Sequence, residues 1–220
     1  MNSSIVIFGA GDHGRGTYEI LLARAAAGLE TAEVLGFVDD SAARQGTRLA
    51  GLPVLGGIGW LLERASEQIE TILAIASPEA KRTLAVHLSE AGVGFAQAIH
   101  PSAILGTGVQ VGPGAIIGAG VVIAYDTRVG VHTTINLGAT VGHDCVIGDF
   151  ATVAPGVNIT GHVEIGEGAQ VQTNATVVPG VKIGAWARVG PGSVVLREVG
   201  SSEFVFGNPA RRMQDPGTKP

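Results

Sequence analysis

The run Val129-Gly130-Val131-His132-Thr133-Thr134-Ile135-Asn136-Leu137-Gly138-Ala139-Thr140-Val141-Gly142-His143-Asp144-Cys145-Val146-Ile147 decides how this chain folds. An aliphatic residue returns in it at every sixth position. The same spacing extends without insertion from Leu105 through Val111, Ile117 and Ile123 to Val189 and Val195, sixteen repeats in all within Ala103 to Glu198. Two residues before each aliphatic position stands a small or β-branched side chain, as at Ala115, Thr127, Ala139, Cys145, Ala151 and Ser193. Glycine often follows it, as at Gly106, Gly112, Gly118, Gly130, Gly142 and Gly148. Neither a helical period nor simple alternation generates a strict six.

A hexapeptide period predicts a parallel β-helix, a triangular prism of short strands. Each hexapeptide makes one side and turns one corner, so three complete a coil, and coils stack at about the 4.8 Å interstrand spacing. Sixteen repeats therefore make slightly more than five coils. The aliphatic residues fill the interior, the small ones let the chain turn inward without overpacking, and glycine takes corner angles that branched residues resist.

Composition sets the outer limits. The 220 residues are 45% hydrophobic but only 5% aromatic, so the core is aliphatic, and the 34 glycines follow no collagen triplet and belong to the turns of the repeat. One cysteine makes no intrachain disulfide, which points to a reducing compartment. Residues 1–8 carry no basic leader pattern, and no run of eighteen apolar residues occurs, so we expect a cytoplasmic protein with no membrane span. Net charge is −5, with seven Lys and Arg against eleven Asp and Glu in residues 1–100. That balance excludes a nucleic-acid surface, which needs clustered cations, and any anionic ligand must be held locally.

The first hundred residues read differently from the prism. Ser4 to Phe8 is a short apolar run ending at Gly9, a helical pattern containing Ile20, Leu21 and Leu22 follows, and the turn between them reads Gly9-Ala10-Gly11-Asp12-His13-Gly14. This is the G-x-G-x-x-G spacing between strand and helix, where backbone amides can face a phosphate. A second run, Val34 to Val38, ends in Asp39-Asp40, where a carboxylate can accept hydrogen bonds from ribose hydroxyls. Further strands are expected at Leu52–Leu55, Thr71–Ala76 and Phe95–Ile99, with helices over Ile58–Glu63 and from Ser77-Pro78-Glu79, where Ser77 caps and Pro78 suits the first turn. We expect a small Rossmann-like α/β domain over 1–98, the β-helix over 99–199 and a C-terminal tail over 200–220. The glycine turn itself has three readings: tight helix–sheet packing alone, a nucleotide or nucleotide-sugar site, or an NAD site. Nothing later in the chain supplies a second domain with hydride chemistry, which weakens the last.

Within the repeat, His143 falls on a corner two residues after interior Val141. Stacking by eighteen puts Tyr125 one coil before it and Gly161 one coil after, where a glycine leaves open space. The adjacent column runs Asp126, Asp144, His162, so Asp144 has a carboxylate on one side and an imidazole on the other. Corner residues of this kind can simply face solvent. The intervals of eleven and nineteen between His132, His143 and His162 are no recognisable metal-ligand set, and we expect no metal. Cys145 takes a small interior position and reads as core rather than nucleophile.

The hexapeptide prism, the Asn136-to-His143-Asp144 run and the ending Gly207-Asn208-Pro209-Ala210-Arg211, all behind a small α/β domain, give the chain a specific likeness. It resembles the bacterial nucleotide-sugar acetyltransferases of the sialic acid O-acetyltransferase (NeuD/PglD-like) family of hexapeptide acyltransferases, and the resemblance covers nearly the whole chain. It implies a left-handed coil, a homotrimer, a nucleotide-linked amino sugar on the first domain and acetyl-CoA in the groove between prisms. It implies His143 as general base with Asp144 as its partner. It places Asp12, His13, Gly14, Asp39, Asp40 and Asn136 near the nucleotide sugar, and Thr152, Gly161 and Gly190 near acetyl-CoA. Members often carry a second histidine where this chain has Thr152, a glycine where it has Ala76, and a hydrophobic residue where it has Asn208.

The chemistry suits those residue types. An imidazole with a reference pKa of about 6.5 can take a proton from an attacking amine near neutral pH, and a carboxylate on its other nitrogen fixes the tautomer. The leading expectation is N-acetylation of a nucleotide amino sugar by direct attack on the thioester. The alternatives are O-acetylation of a sugar or sialic acid, and a nucleotide- or NAD-binding protein whose prism is only an assembly scaffold.

Overall fold

The structure is a computed structural model that describes residues 4–29 and 32–214. The chain divides into two compact units, Met1–Pro101 and Ser102–Pro220.

In the first unit, β1 (Ser4–Phe8) leads into α1 (Asp12–Ala26), then β2 (Glu33–Val38), a hairpin of β3 (Arg48–Leu49) and β4 (Leu52–Pro53), α2 (Ile58–Leu62), β5 (Ile69–Leu73), α3 (Pro78–Glu90) and β6 (Gly94–Phe95). The sheet order β2-β1-β5-β6 is parallel throughout. Ile5, Val6, Ile7 and Phe8 are all buried, which is the signature of a strand covered on both faces. Leu52–Pro53 forms an edge hairpin because Ala50 and Gly51 both take positive φ, +48° and +84°. Ser77 caps α3 by accepting a hydrogen bond from the Ala80 N–H at 3.2 Å, with Pro78 in the first turn as expected. The strand expected over 71–76 runs instead from Ile69 to Leu73, and the one expected over 95–99 splits into β6 and β7 (Ala98–Ile99), since only Gly94–Phe95 pairs with β5.

The second unit is the β-helix. Sixteen two-residue strands, β8 (Ile104–Leu105) to β23 (Val194–Val195), recur every six residues. Parallel pairing joins Ile117 to Ile135, Ile123 to Val141 and Val129 to Ile147, each a step of eighteen. From Ile117 to Val195 every interior aliphatic is at most 4% exposed, and each small partner from Ala115 on is buried too. Burying a Val or Ile contributes about 1.5–3 kcal/mol, so this column carries the unit's stability. Leu105, in the end strand of its face, is 38% exposed.

Where glycine does not turn the corner, another residue takes positive φ: Asp126 (+54°), Asp144 (+54°) and His162 (+59°) share one such column. The tail expected over 200–220 is structured through residue 213. There β24 (Phe204–Phe206) extends the face of Val189 in parallel, and β25 (Arg211–Met213) folds back antiparallel. Positions 215–220 of that tail, like residues 1–3 at the other end, lie outside the described residues.

Candidate active site

The His143 corner is built by the repeat. The interior strand Thr140–Val141 ends at Gly142, whose Cβ would lie 2.5 Å from the Gly161 nitrogen, so only glycine lets the coils stack there. Behind the corner, the fully buried Thr127 hydroxyl donates to the Gly142 carbonyl at 2.8 Å and accepts from the Cys145 N–H at 3.1 Å. One side chain thus holds both ends of the His143–Asp144 turn. The left-handed backbone of Asp144 then sets its carboxylate beside the imidazole, with Nδ1 of His143 at 2.7 Å from Oδ2.

Tyr125 stacks on the ring with centroids 5.0 Å apart and planes 10° from parallel. One coil on, a Cβ at Gly161 would come 2.8 Å from Nε2. The expected open space at Gly161 is therefore filled by the imidazole itself, and the glycine is required to admit the ring. His162 meets His143 edge-on at 4.9 Å, and its Nδ1 lies 4.0 Å from the Asp144 carboxylate.

His143, Asp144 and His162 each offer a ligand atom within 4.8 Å of the others. A hydrogen bond already joins His143 Nδ1 to Asp144 Oδ2, which fits a positioned base better than a cation cage. Cys145 is buried, its thiol 3.1 Å from the Thr160 carbonyl, and burial pushes its pKa up, the opposite of an activated nucleophile.

At the glycine turn, two of the three glycines answer to packing. A Cβ at Gly14 would fall 1.8 Å from the Gly9 carbonyl oxygen, and one at Gly9, with φ +111°, 2.6 Å from that of Ala74. Gly11 is different, because only the Arg44 guanidinium comes near, at 3.3 Å. Asp12 and His13 stand exposed on the first turn of α1. Although the residue is exposed, partial desolvation of its imidazole, then the Lys81 charge, lowers the pKa of His13, with Asp12 opposing. Lys81 is 2% exposed, and burial pushes its pKa down to about 8.

Asp39 has a structural part at the turn as well. Its Oδ2 accepts from the Ala10 N–H at 2.8 Å and from Arg44 at 2.9 Å, and its Oδ1 accepts from the Ser41 N–H at 2.9 Å. These bonds make the carboxylate a brace for the loop after β2, and leave Oδ1 with room for one further donor. Burial works against its charge, yet the two amides and Arg44 outweigh it and hold its pKa below the ordinary value. Asp40 accepts from the Ile58 N–H at 2.7 Å, at the start of α2.

The structure thus brings Asp39 to the turn that holds Asp12, His13 and Gly14, sets Asp40 at the start of α2, and places His143, Asp144 and Gly161 at one corner. It does not bring Asn136, Thr152 or Gly190 to that corner: Thr152 lies in the face of strands 116–117, 134–135, 152–153, 170–171 and 188–189, and the other two directly follow strands of it. At Gly190 the Phe206 ring stands 2.4 Å from where a Cβ would be, so the missing side chain makes room for β24. Sequence reasoning missed Thr127, Arg44 and Lys81 as site-forming residues. Thr127 could have been found by subtracting eighteen from Cys145, whereas the Arg44–Asp39 pair depends on a loop path that no spacing encodes.

Comparison with known proteins bears on both sites. The model of the PglD N-terminal domain matches residues 4–88, and that of the bacterial transferase hexapeptide (six repeats) matches residues 162–197. Comparison with curated proteins returned no match. Among solved structures, perosamine N-acetyltransferase from Caulobacter crescentus is similar with a TM-score of 0.88 and 32% identity, covering 96% of this chain and 97% of that one. It was solved as a His-to-Asn variant in complex with CoA and GDP-perosamine. WeeI from Acinetobacter baumannii AYE is similar at 28% identity, with 96% and 99% coverage and a TM-score of 0.85. The acetyltransferase domain of PglB from Neisseria gonorrhoeae FA1090, in complex with acetyl coenzyme A, gives 26% identity, 97% and 100% coverage and a TM-score of 0.84.

Proposed function

Because the chain belongs to the NeuD/PglD-like family of hexapeptide acyltransferases, we propose that it transfers acetyl from acetyl-CoA to the amino group of a nucleotide-linked amino sugar, with His143 as general base. The observation that carries this reading is the 2.7 Å contact between His143 Nδ1 and Asp144. With Nδ1–H donating to the carboxylate, Nε2 keeps its lone pair and faces outward to take a proton.

As the sugar nitrogen attacks the thioester carbonyl, the N–C bond forms and the amine proton passes to Nε2. Asp144 stabilises the imidazolium. When the tetrahedral intermediate collapses, the C–S bond breaks and the thiolate recovers a proton from Nε2, so the enzyme returns to its starting state without a covalent acyl intermediate. Backbone N–H groups at the glycine-rich corner supply the oxyanion contact this step needs. The nucleotide binds at the glycine turn. Arg44, held by Asp39 beside Gly11, offers its remaining guanidinium N–H groups to an anionic ligand there.

The protein acts as a homotrimer in the cytoplasm. The face of Ile104, Val122, Thr140, Asn158, Thr176 and Val194 carries no charge, whereas the face of Arg128, Glu164 and Lys182 does, and the uncharged one suits burial against a second copy. Packing prisms side by side also accounts for Thr152 and Asn136 lying away from the His143 corner of their own chain: at a neighbour's corner Thr152 meets acetyl-CoA and Asn136 the nucleotide sugar. Sedimentation at micromolar concentration tests this, and a monomer would contradict it. A reducing compartment fits the single buried thiol.

Thiol release from acetyl-CoA, measured with UDP-, GDP- and dTDP-linked amino sugars and with their hydroxyl counterparts, tests the reaction. Turnover on at least one amino sugar and none on its hydroxyl counterpart is expected. Turnover confined to hydroxyl acceptors, or absent with every amino sugar, would overturn the proposal.

A further inference from the structure

Tyr125 is half exposed and answers to no requirement of coil packing. Its column, Thr107, Tyr125, His143, Gly161, Pro179, holds residues of every size. Yet its ring lies parallel to the imidazole of His143 at 5.0 Å, while one coil on, a Cβ at Gly161 would come 2.8 Å from Nε2 and 2.9 Å from Cε1, so a side chain there would displace the ring. Rotation about the Cβ–Cγ bond of His143 turns a ring edge toward the phenol and gives up the stack.

We infer that Tyr125 is a positioning residue for the base: it holds the ring plane of His143 so that Nδ1 stays on Asp144 and Nε2 stays turned to the reacting amine. The inference rests on the reading of His143 as that base. It has an electronic side as well, since the proton accepted at Nε2 places positive charge face-on to the phenol π-system, an attractive arrangement. His162 does not duplicate the role. It meets the ring edge-on, and its own nitrogen is 4.0 Å from the carboxylate that His143 contacts at 2.7 Å. The hydroxyl of Tyr125 takes no part, so an aromatic ring alone should suffice.

The experiment compares Tyr125→Phe, Tyr125→Leu, Tyr125→Ala and His143→Asn in the full-length protein, reading kcat, KM for both substrates, melting temperature and the ¹⁵N spectrum of the His143 imidazole. Tyr125→Phe should stay within about twofold of native kcat, and the Leu and Ala variants should fall by roughly 5- to 20-fold with KM unchanged within about twofold. In those two variants the ¹⁵N spectrum should change from the Nδ1–H tautomer to a mixture. Native kcat in both Leu and Ala variants would overturn the inference, and so would a Phe variant as impaired as Ala, which would point to the hydroxyl. The Leu variant retains apolar bulk, so a loss shared by Leu and Ala at an unchanged melting temperature is not a folding effect. His143→Asn separates the two levels: native turnover there sinks the base, whereas an inactive His143→Asn beside a fully active Tyr125→Ala sinks only the clamp.

Discussion

Two aspartates, each a short step past a strand end, do opposite work. Asp39 closes β2, is buried, and spends its oxygens on Ala10, Ser41 and Arg44. Asp144 turns a prism corner, is exposed, and directs one oxygen at an imidazole. The first shapes a loop, and the second, on the function proposed for His143, orients the base. A carboxylate at a strand end is therefore not a functional signal until its hydrogen bonds are counted.

The contrast breaks most sharply at Asp144. Its left-handed backbone costs a non-glycine residue roughly 1–2 kcal/mol. Asp144→Gly should therefore melt at or above the native temperature while kcat falls by roughly 10- to 100-fold, because the tautomer of His143 is no longer fixed. Calorimetry and thiol-release kinetics on the same sample read both quantities, and a native kcat would reduce Asp144 to a turn residue. Asp39→Asn should show the reverse pattern. It sets an amide N–H against the Ala10 or Ser41 N–H, for a loss of about 1–3 kcal/mol in urea unfolding with kcat at saturating substrates little changed. The lowered pKa of native Asp39 gives a sign to the acid limb. Its contribution is present above the ordinary carboxylate value near 3.8 and lost as pH falls below it, so the variant's stability should fall less steeply there.

The smallest effect is expected at Lys81. Its folded pKa of about 8 lies below the ordinary 10.5, so the unfolded chain binds more protons between those values and stability rises with pH across that window. The cost of burying the ammonium is fully present below about pH 8. Lys81→Met should flatten the rise of melting temperature between about pH 8 and 10.5, and an undiminished rise would assign it to another group.

How much of this was legible in the sequence depended on the source of each constraint. The prism was legible because one rule, a step of eighteen, fixes every contact: it correctly put Tyr125 and Gly161 on either side of His143, and Ala115 and Ser193 in the interior. The same rule read open space beside Gly161, where the imidazole sits, since spacing says which residues are neighbours but not which rings fill the gaps. In the α/β unit the strand, turn and helix at Ser4–Ala26 were legible from apolar runs and glycine spacing. The commitment of Asp39 to Arg44 was not, because it depends on the loop after β2, where no period constrains the path. The likeness to sugar acetyltransferases rested on the prism, the His143-Asp144 pair and the chain ending, and the 32% identity to the Caulobacter enzyme over nearly the full length agrees with it.

The most direct measurement is turnover of His143→Ala on the preferred nucleotide amino sugar, with acetyl-CoA affinity and melting temperature followed in parallel. Loss of a positioned general base should lower kcat/KM by roughly 100-fold or more, with acetyl-CoA binding and stability retained. Native turnover with both retained would contradict the assignment of the base.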